Sequence, residues 1–406
     1  MSNTIIQPKV RGFICTTAHP TGCAKAVEEE IAYVRANGNF QGPKTALVIG
    51  SSTGYGRASI EALAFGAGAS TIGVFFERGA EGERTGSTGW YHVAAFEKKA
   101  HEAGLYAKSV NGDAFSDEIK QQVIDLLRRD SKKIDLIIYS LASPRRKHPK
   151  TGEVFSSVLK PIGQTFTSKT VDPLRGEVKN ITIEPATEEE IRHTVAVMGG
   201  EDWEMWIDEL AKHDLLAPNV KTVGYTYIGP SLTHAVYKDG TIGRAKEDLQ
   251  LSAERLQARL QKEYNGEACI SVNKALVTQA SAAIPVVPLY IALLFKAMKA
   301  NGTHEGCIEQ IVRLFKDHLY AAKPITRDEQ GRIRIDDLEM DPKIQQQILE
   351  LWPKVTSENL RELTDIEGYL NDFYRLFGFN FDGVDYDKPV DPDVAIESIP
   401  REAIST

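Results

Sequence analysis

Lys44-Thr45-Ala46-Leu47-Val48-Ile49-Gly50-Ser51-Ser52-Thr53-Gly54-Tyr55-Gly56-Arg57-Ala58-Ser59-Ile60-Glu61-Ala62-Leu63-Ala64-Phe65 decides the fold. Its first six residues are a short apolar, β-branched run, which suits a strand buried on both faces of a parallel sheet. Residues 58–65 read as a helix, and Gly50-x3-Gly54-x-Gly56 joins the two. Glycines let the backbone turn tightly and come close to phosphates. Free N–H groups and the positive dipole end of the helix then hold negative charge. Three glycines alone would equally suit an ordinary strand-to-helix turn. The context favours a dinucleotide pyrophosphate.

Part of that context lies downstream. Residues 70–76 read as a second strand, and Glu77 closes it, 21 residues after Gly56. An acid there can hydrogen-bond both ribose hydroxyls of NADH and repel the 2′-phosphate of NADPH. A solvent-facing carboxylate at a strand end is the plainer alternative, and the neighbouring Arg78 leaves a phosphate contact open. Further strands follow at 106–110, 134–140, 221–229 and 268–277, with helical patterns at 90–103 and 116–129. Such alternation predicts an α/β fold: a Rossmann-type, doubly wound parallel sheet with helices on both faces. Ligands of such sheets sit at the carboxyl ends of the strands, so Glu77, Asp113 and Leu141-Ala142 should rim one crevice.

Around this core the chain carries N-terminal, mid-chain and C-terminal additions. We expect one elaborated catalytic domain over 1–406, with a dinucleotide-binding core at 44–300. A substrate-side insertion at about 144–220 should hold a hairpin (154–170) and helices at 187–198 and 203–213. Residues 301–406 read as a C-terminal helical addition.

Tyr237 lies in a loop after the fifth strand, and a turn at Asp239-Gly240 leads into a helix from Thr241. Ala245, Leu249, Ala253, Leu256 and Leu260 give that helix one apolar face, which places Lys246 in its first turns beside the buried stripe. A phenol near a cation is a proton donor for an oxygen that gains negative charge. A bare Tyr–Lys pair also recurs by chance. Downstream of a nucleotide-binding core it points to hydride chemistry.

At these residues the chain resembles the FabV-type enoyl-acyl carrier protein reductases and the related trans-2-enoyl-coenzyme A reductases. The resemblance runs nearly end to end. It rests on residues 8–20, Gly50 to Gly56, Tyr237-x8-Lys246, Asn273 to Ser281, Ala283 to Tyr290 and Phe377-Gly378-Phe379. It implies that Tyr237 is the proton donor, that Lys246 contacts the nicotinamide ribose and stabilises charge, and that Tyr227 binds substrate near its thioester. It also implies that Gly50, Ser51, Ser52, Thr53, Gly54, Tyr55, Phe76, Glu77, Asp113, Ala114, Leu141, Ala142, Leu276, Val277 and Thr278 bind NAD(H). The implied reaction is NADH-dependent reduction of the trans-2 double bond of an enoyl thioester, carried by acyl carrier protein or coenzyme A, as in fatty acid elongation. The apolar stretch Ile284 to Met298 would then cover the substrate as well as fill the core.

Composition narrows the remaining classes. A net charge of −8 argues against nucleic acid, which favours a basic stripe. Four cysteines without a Cys-x-x-Cys pair suit a reducing, cytoplasmic setting. No stretch reads as membrane-spanning or as a signal peptide. Cys15, His19 and Cys23 are spaced like metal ligands, but Pro20 and Gly22 argue against the helix that would align them, and no metal is expected. Arg145, Arg146, Lys147 and Lys150 are expected to form a basic loop that attracts the anionic carrier. The pattern does not set oligomeric state, and a monomer is compatible with it. Two alternatives stay open: a carbonyl or alcohol oxidoreductase using the same pair, and a non-catalytic nucleotide sensor.

Overall fold

The computed structural model describes residues 3–12, 14–37 and 39–400. Phe13, within the 8–20 segment, lies outside them. Seven parallel strands form one sheet: β1 (Thr45–Ile49), β2 (Ser70–Phe75), β3 (Ala107–Asn111), β4 (Ile134–Tyr139), β5 (Leu216–Thr226), β6 (Glu267–Val272) and β7 (Ile333–Arg334). Their spatial order is β7-β6-β5-β4-β1-β2-β3. The winding reverses where β1 meets β4, with Ile49 opposite Tyr139 at the last shared rung. A crevice opens at such a reversal, beyond the carboxyl ends of the two strands.

Alternation along β1 explains why both faces are covered. Ala46 and Val48 face a layer built from α1 (Pro20–Ala36), α2 (Gly54–Ala67), α3 (Thr88–Glu102) and residues 308–319. Leu47 and Ile49 face the opposite layer, formed by α4 (Asp117–Arg129), α6 (Glu201–Lys212) and α7 (Thr241–Tyr264). α5 (Glu188–Met198) packs along α7. All five β1 residues are buried, as a central parallel strand requires. A third apolar cluster sits at the carboxyl edge. There α8 (Val287–Ala300) packs against α10 (Pro342–Leu351) and α11 (Ile366–Arg375), while α9 (Cys307–Arg313) joins the first layer.

Several expectations need correction. A helix does run from Pro20, because proline suits the first helical position and His19 caps it by accepting from the Gly22 N–H at 3.2 Å. The expected hairpin at 154–170 is replaced by two: Arg145–Lys147 with Val154–Ser156, and Phe166–Asp172 with Glu177–Ile183. Strand β5 begins earlier, at Leu216, and slips register before Lys221, where Pro218 and Asn219 (φ 61°) break the ladder. Strands β5 and β6 end at Thr226 and Val272, so Tyr227 and residues 273–278 are loop at the crevice edge. The seventh strand lies beyond residue 301, where only two residues pair with β6.

Candidate active site

Thr45 to Ile49 delivers the chain to the crevice, and Gly50 turns it there. Gly50 adopts φ 88°, and a side-chain carbon at this position would meet the Ser140 carbonyl at 2.5 Å. The Gly50 and Ser51 N–H groups both donate to the Val74 carbonyl, at 2.8 and 3.1 Å, which pins the loop to β2. Gly54 opens α2 with φ 52°, and no side chain caps the helix at Thr53. The first N–H groups of α2 are thus left for an anion. Across the loop, Leu276 to Thr278 approaches, with Thr278 Cγ2 3.7 Å from where a Gly54 side chain would begin. A cavity of about 370 Å³ runs along Thr53, Gly54 and residues 276–279. The arrangement fits a dinucleotide pyrophosphate.

The end of β2 is equally well ordered by hydrogen bonds. Glu77 Oε1 accepts from the Ser52 hydroxyl at 2.7 Å, and Asn111 clamps the Glu77 backbone through bonds of 2.8 and 2.9 Å. Burial raises the Glu77 pKa, while Ser87, Ser52 and Arg78 oppose that shift. Phe76, 76 % exposed beside it, offers a free aromatic face. The Arg78 guanidinium donates to the Thr85 carbonyl at 3.3 Å, so it is already engaged. Asp113 caps its own turn by accepting from the Phe115 N–H at 3.0 Å, next to buried Ala114. Leu141 and Ala142 follow β4 directly, on the same edge.

On the other side of the crevice stand two phenols. Tyr227 leaves the end of β5 and Tyr237 follows a short turn, its N–H donating to the Thr233 carbonyl at 2.9 Å. Their rings meet edge to face, with centroids 4.9 Å apart. Both pack against the cluster that contains Leu276, Ile284 and α8. Lys246, in the second turn of α7, points its ammonium at the Tyr225 carbonyl, 3.5 Å away. No hydrogen bond joins it to Tyr237. Burial alone pushes the Tyr237 hydroxyl above its ordinary range, and burial lowers Lys246 to about 8. The two side chains expected to act together therefore make no hydrogen bond to each other, and Lys246 is held by the Tyr225 carbonyl instead.

Tyr55 links the two sides. Its hydroxyl donates to the Lys274 carbonyl at 2.7 Å and accepts from the Gln310 amide at 2.8 Å. Its ring contacts Tyr225, whose carbonyl receives Lys246. The structure also adds residues that sequence reasoning missed. Glu339 is fully buried and takes hydrogen bonds from Tyr227 (3.0 Å), Tyr290 (2.7 Å) and the Ala275 N–H (2.8 Å). No local pattern marks Glu339, which lies in a loop after a two-residue strand.

Other expected features separate. Arg146 is buried, pairs with Glu201 at 2.7 Å and donates to the Ala196 carbonyl, so it leaves the basic loop. Arg145, Lys147 and Lys150 stay exposed. Among the described residues no cluster of three His, Cys, Asp or Glu side chains is placed to hold a metal ion.

Comparison with known proteins gives the family. Residues 84–320 match the trans-2-enoyl-CoA reductase catalytic region, and residues 5–82 match the NAD(P)H binding domain of that enzyme. Residues 327–390 match a family described as an enoyl reductase FAD binding domain. An enoyl-[acyl-carrier-protein] reductase [NADH] of Coxiella burnetii is 61 % identical over 397 residues, covering 97 % of this chain and 98 % of its own. A trans-2-enoyl-CoA reductase [NADH] of Ruminiclostridium cellulolyticum is 55 % identical, covering 97 % and 100 %. The crystal structure of Clostridium acetobutulicum trans-2-enoyl-CoA reductase with NADH superimposes with a TM-score of 0.95 at 42 % identity, covering 98 % and 100 %. That of the Treponema denticola enzyme with NAD gives 0.91 at 51 %, covering 95 % and 98 %. The chain belongs to the trans-2-enoyl-CoA reductase family, which includes these FabV-type carrier-protein reductases.

The flavin description does not fit residues 327–390. Helices α10 and α11 begin at Asp341 and Asp365, whose own carboxylates cap the N–H groups of Lys343 and Gly368. A pyrophosphate would meet negative charge at both helix starts.

Proposed function

We propose that this chain reduces the trans-2 double bond of enoyl thioesters with NADH, and that Tyr237, Tyr227 and Lys246 divide the work. One observation carries the assignment of roles. The two phenols meet at 4.9 Å on the crevice rim, opposite a glycine loop shaped for pyrophosphate. In this reading Gly50 to Tyr55 and Leu276 to Thr278 hold the cofactor's phosphates and nicotinamide end. Phe76, Glu77, Asp113, Ala114, Leu141 and Ala142 hold its adenosine. Bound NADH supplies a hydride to the β-carbon of the substrate.

The protein's part is electrostatic. Negative charge develops on the thioester oxygen as the β-carbon accepts hydride, and donors preorganised at that oxygen are usually the largest catalytic term. Tyr237 has no internal hydrogen-bond acceptor, so its O–H is free to donate to that oxygen, and protonation of the resulting enolate at its α-carbon completes the reduction. Tyr227 orients the thioester from the adjacent position. Lys246, held at the Tyr225 carbonyl, would supply a cation on this side and would donate to the cofactor's ribose. The apolar wall of Ile284 and α8 lines the acyl side and keeps water out.

Coenzyme A and acyl carrier protein both present a phosphate-bearing arm, and exposed Arg145, Lys147 and Lys150 are available to meet it. We assign the work to the cytoplasm, where four unpaired thiols stay reduced. None of the described helices is long and apolar enough to cross a membrane. The test is NADH oxidation by crotonyl-coenzyme A, by crotonyl carrier protein and by simple ketones. Turnover with the thioesters alone supports this reading. Turnover with ketones alone would assign a carbonyl reductase, and no turnover at all a nucleotide sensor.

A further inference from the structure

The C-terminal segment buries one carboxyl group behind Tyr227 and Tyr290. Glu339 Oε2 accepts from the Ala275 N–H, and its Oε1 faces two phenol oxygens, those of Tyr227 at 3.0 Å and Tyr290 at 2.7 Å. The two phenols are not equivalent. The Gln345 amide donates to the Tyr290 oxygen at 3.1 Å and to the Glu339 carbonyl at 2.7 Å. Tyr290 thus receives one hydrogen bond and turns its own proton to Oε1. Tyr227 receives none. Its direction depends on whether Oε1 carries a proton.

With Glu339 ionised, the Tyr227 proton points at the carboxylate, and Tyr227 offers the crevice only its oxygen lone pairs. Those repel a thioester oxygen that is gaining charge. With Oε1 protonated, Glu339 donates to the Tyr227 oxygen, still accepts from Tyr290, and leaves the Ala275 N–H bond intact. The Tyr227 proton is then released toward the crevice. We propose that Glu339 is a positioning residue whose protonated form aims the Tyr227 hydroxyl at the thioester oxygen. This rests on the reading that Tyr227 binds the thioester.

The surroundings shift Glu339 toward the protonated form. Burial is the largest influence and raises the Glu339 pKa, and Asp336 pushes the same way. The Tyr290 hydroxyl, the Ala275 N–H and the Lys274 ammonium pull it back. Tyr227 is the remaining titratable group on Oε1, with Tyr237 packed on its ring. A carboxyl that must hold a proton to work loses its function as pH rises through its pKa.

The experiment is the pH dependence of kcat/KM for crotonyl-coenzyme A at saturating NADH, in wild type, Glu339→Gln, Tyr290→Phe and Tyr227→Phe. Wild type should fall with rising pH, approaching roughly tenfold per pH unit. Glu339→Gln should lose this limb and keep only the fall that Lys246 produces near pH 8, because its amide nitrogen donates to Tyr227 at every pH while its oxygen keeps the Ala275 bond. Tyr290→Phe removes a donor to the ionised carboxylate, so the limb should move up by about one pH unit. NADH affinity should stay unchanged in both variants, which also verifies their folding. A wild-type limb retained in Glu339→Gln, or unmoved in Tyr290→Phe, overturns the proposal. If Tyr227→Phe leaves kcat/KM unaltered, the role of Tyr227 at the thioester fails, and this proposal with it. If Tyr227→Phe lowers kcat/KM but Glu339→Gln keeps the limb, the role of Glu339 alone fails.

Discussion

The cofactor side and the substrate side of the crevice are built in opposite ways. Gly50 to Tyr55, Phe76 and Glu77 come from one strand–helix–strand unit, and short backbone bonds such as Gly50 N–H to the Val74 carbonyl hold them. On the substrate side, Tyr227, Tyr237, Ala275, Tyr290 and Glu339 come from four loops and a helix spread over more than a hundred residues, joined through side chains. The first side is a backbone device with a fixed shape before any ligand arrives. The second is a polar network inside an apolar wall, whose donors we propose to depend on protonation. In the proposed reading, one side binds and the other performs the proton chemistry.

That division can be broken most forcefully at Tyr237. Tyr237→Phe should leave NADH affinity within about twofold and lower turnover on the order of a hundred- to a thousandfold, since the phenol acts only on developing charge. Equilibrium NADH binding beside crotonyl-thioester kinetics checks this, and near-normal turnover would pass the role to Tyr227. Lys246→Met should cross the divide and weaken both cofactor binding and turnover. Burial sets the free-enzyme Lys246 at about 8, so its cation is present below that pH and lost above it. NADH affinity should therefore weaken as pH rises through about 8, and that dependence should be gone in Lys246→Met.

Smaller effects sharpen the boundary. Glu77→Gln should narrow the preference for NADH over NADPH by about tenfold, because a neutral amide no longer repels the 2′-phosphate. Crotonyl-thioester saturation with each cofactor reads it, and equal efficiency in the unmodified enzyme would contradict the role of Glu77. Replacing Arg145, Lys147 and Lys150 with alanine should raise KM for the thioester only a few-fold, and more at low salt than at high salt. A KM indifferent to salt would leave these residues as a solvated loop.

The same contrast governs what the sequence discloses. Six of the seven sheet strands were readable, since each is an apolar run between turn residues. Strand β7 was hidden because Ile333-Arg334 is too short to carry a period. Pro20 begins helix α1 rather than preventing it, yet Cys15 lies in a short strand, so no helix aligns Cys15, His19 and Cys23. Arg146 looked like part of a basic loop, yet its position in a three-residue strand turns it inward to Glu201. Gly50, Gly54 and Glu77 declare themselves by spacing, because backbone devices need fixed intervals along the chain. Glu339 is silent. Its significance comes from where tertiary packing brings it, 102 residues after Tyr237.

The division itself is tested most directly by a double-mutant cycle with Gly54→Ala and Tyr237→Phe. Gly54 sits at φ 52° with room for a methyl group, so alanine strains the loop by about 1–2 kcal/mol without blocking the fold. We predict that NADH affinity drops roughly tenfold in Gly54→Ala and in the double variant, and hardly at all in Tyr237→Phe. We predict that the single-turnover rate at saturating NADH falls by the same factor whenever Tyr237 is replaced, whichever residue occupies position 54. A coupling between the two sites well beyond about 0.5 kcal/mol would contradict the account, because the binding and proton-transfer sides would then be one device.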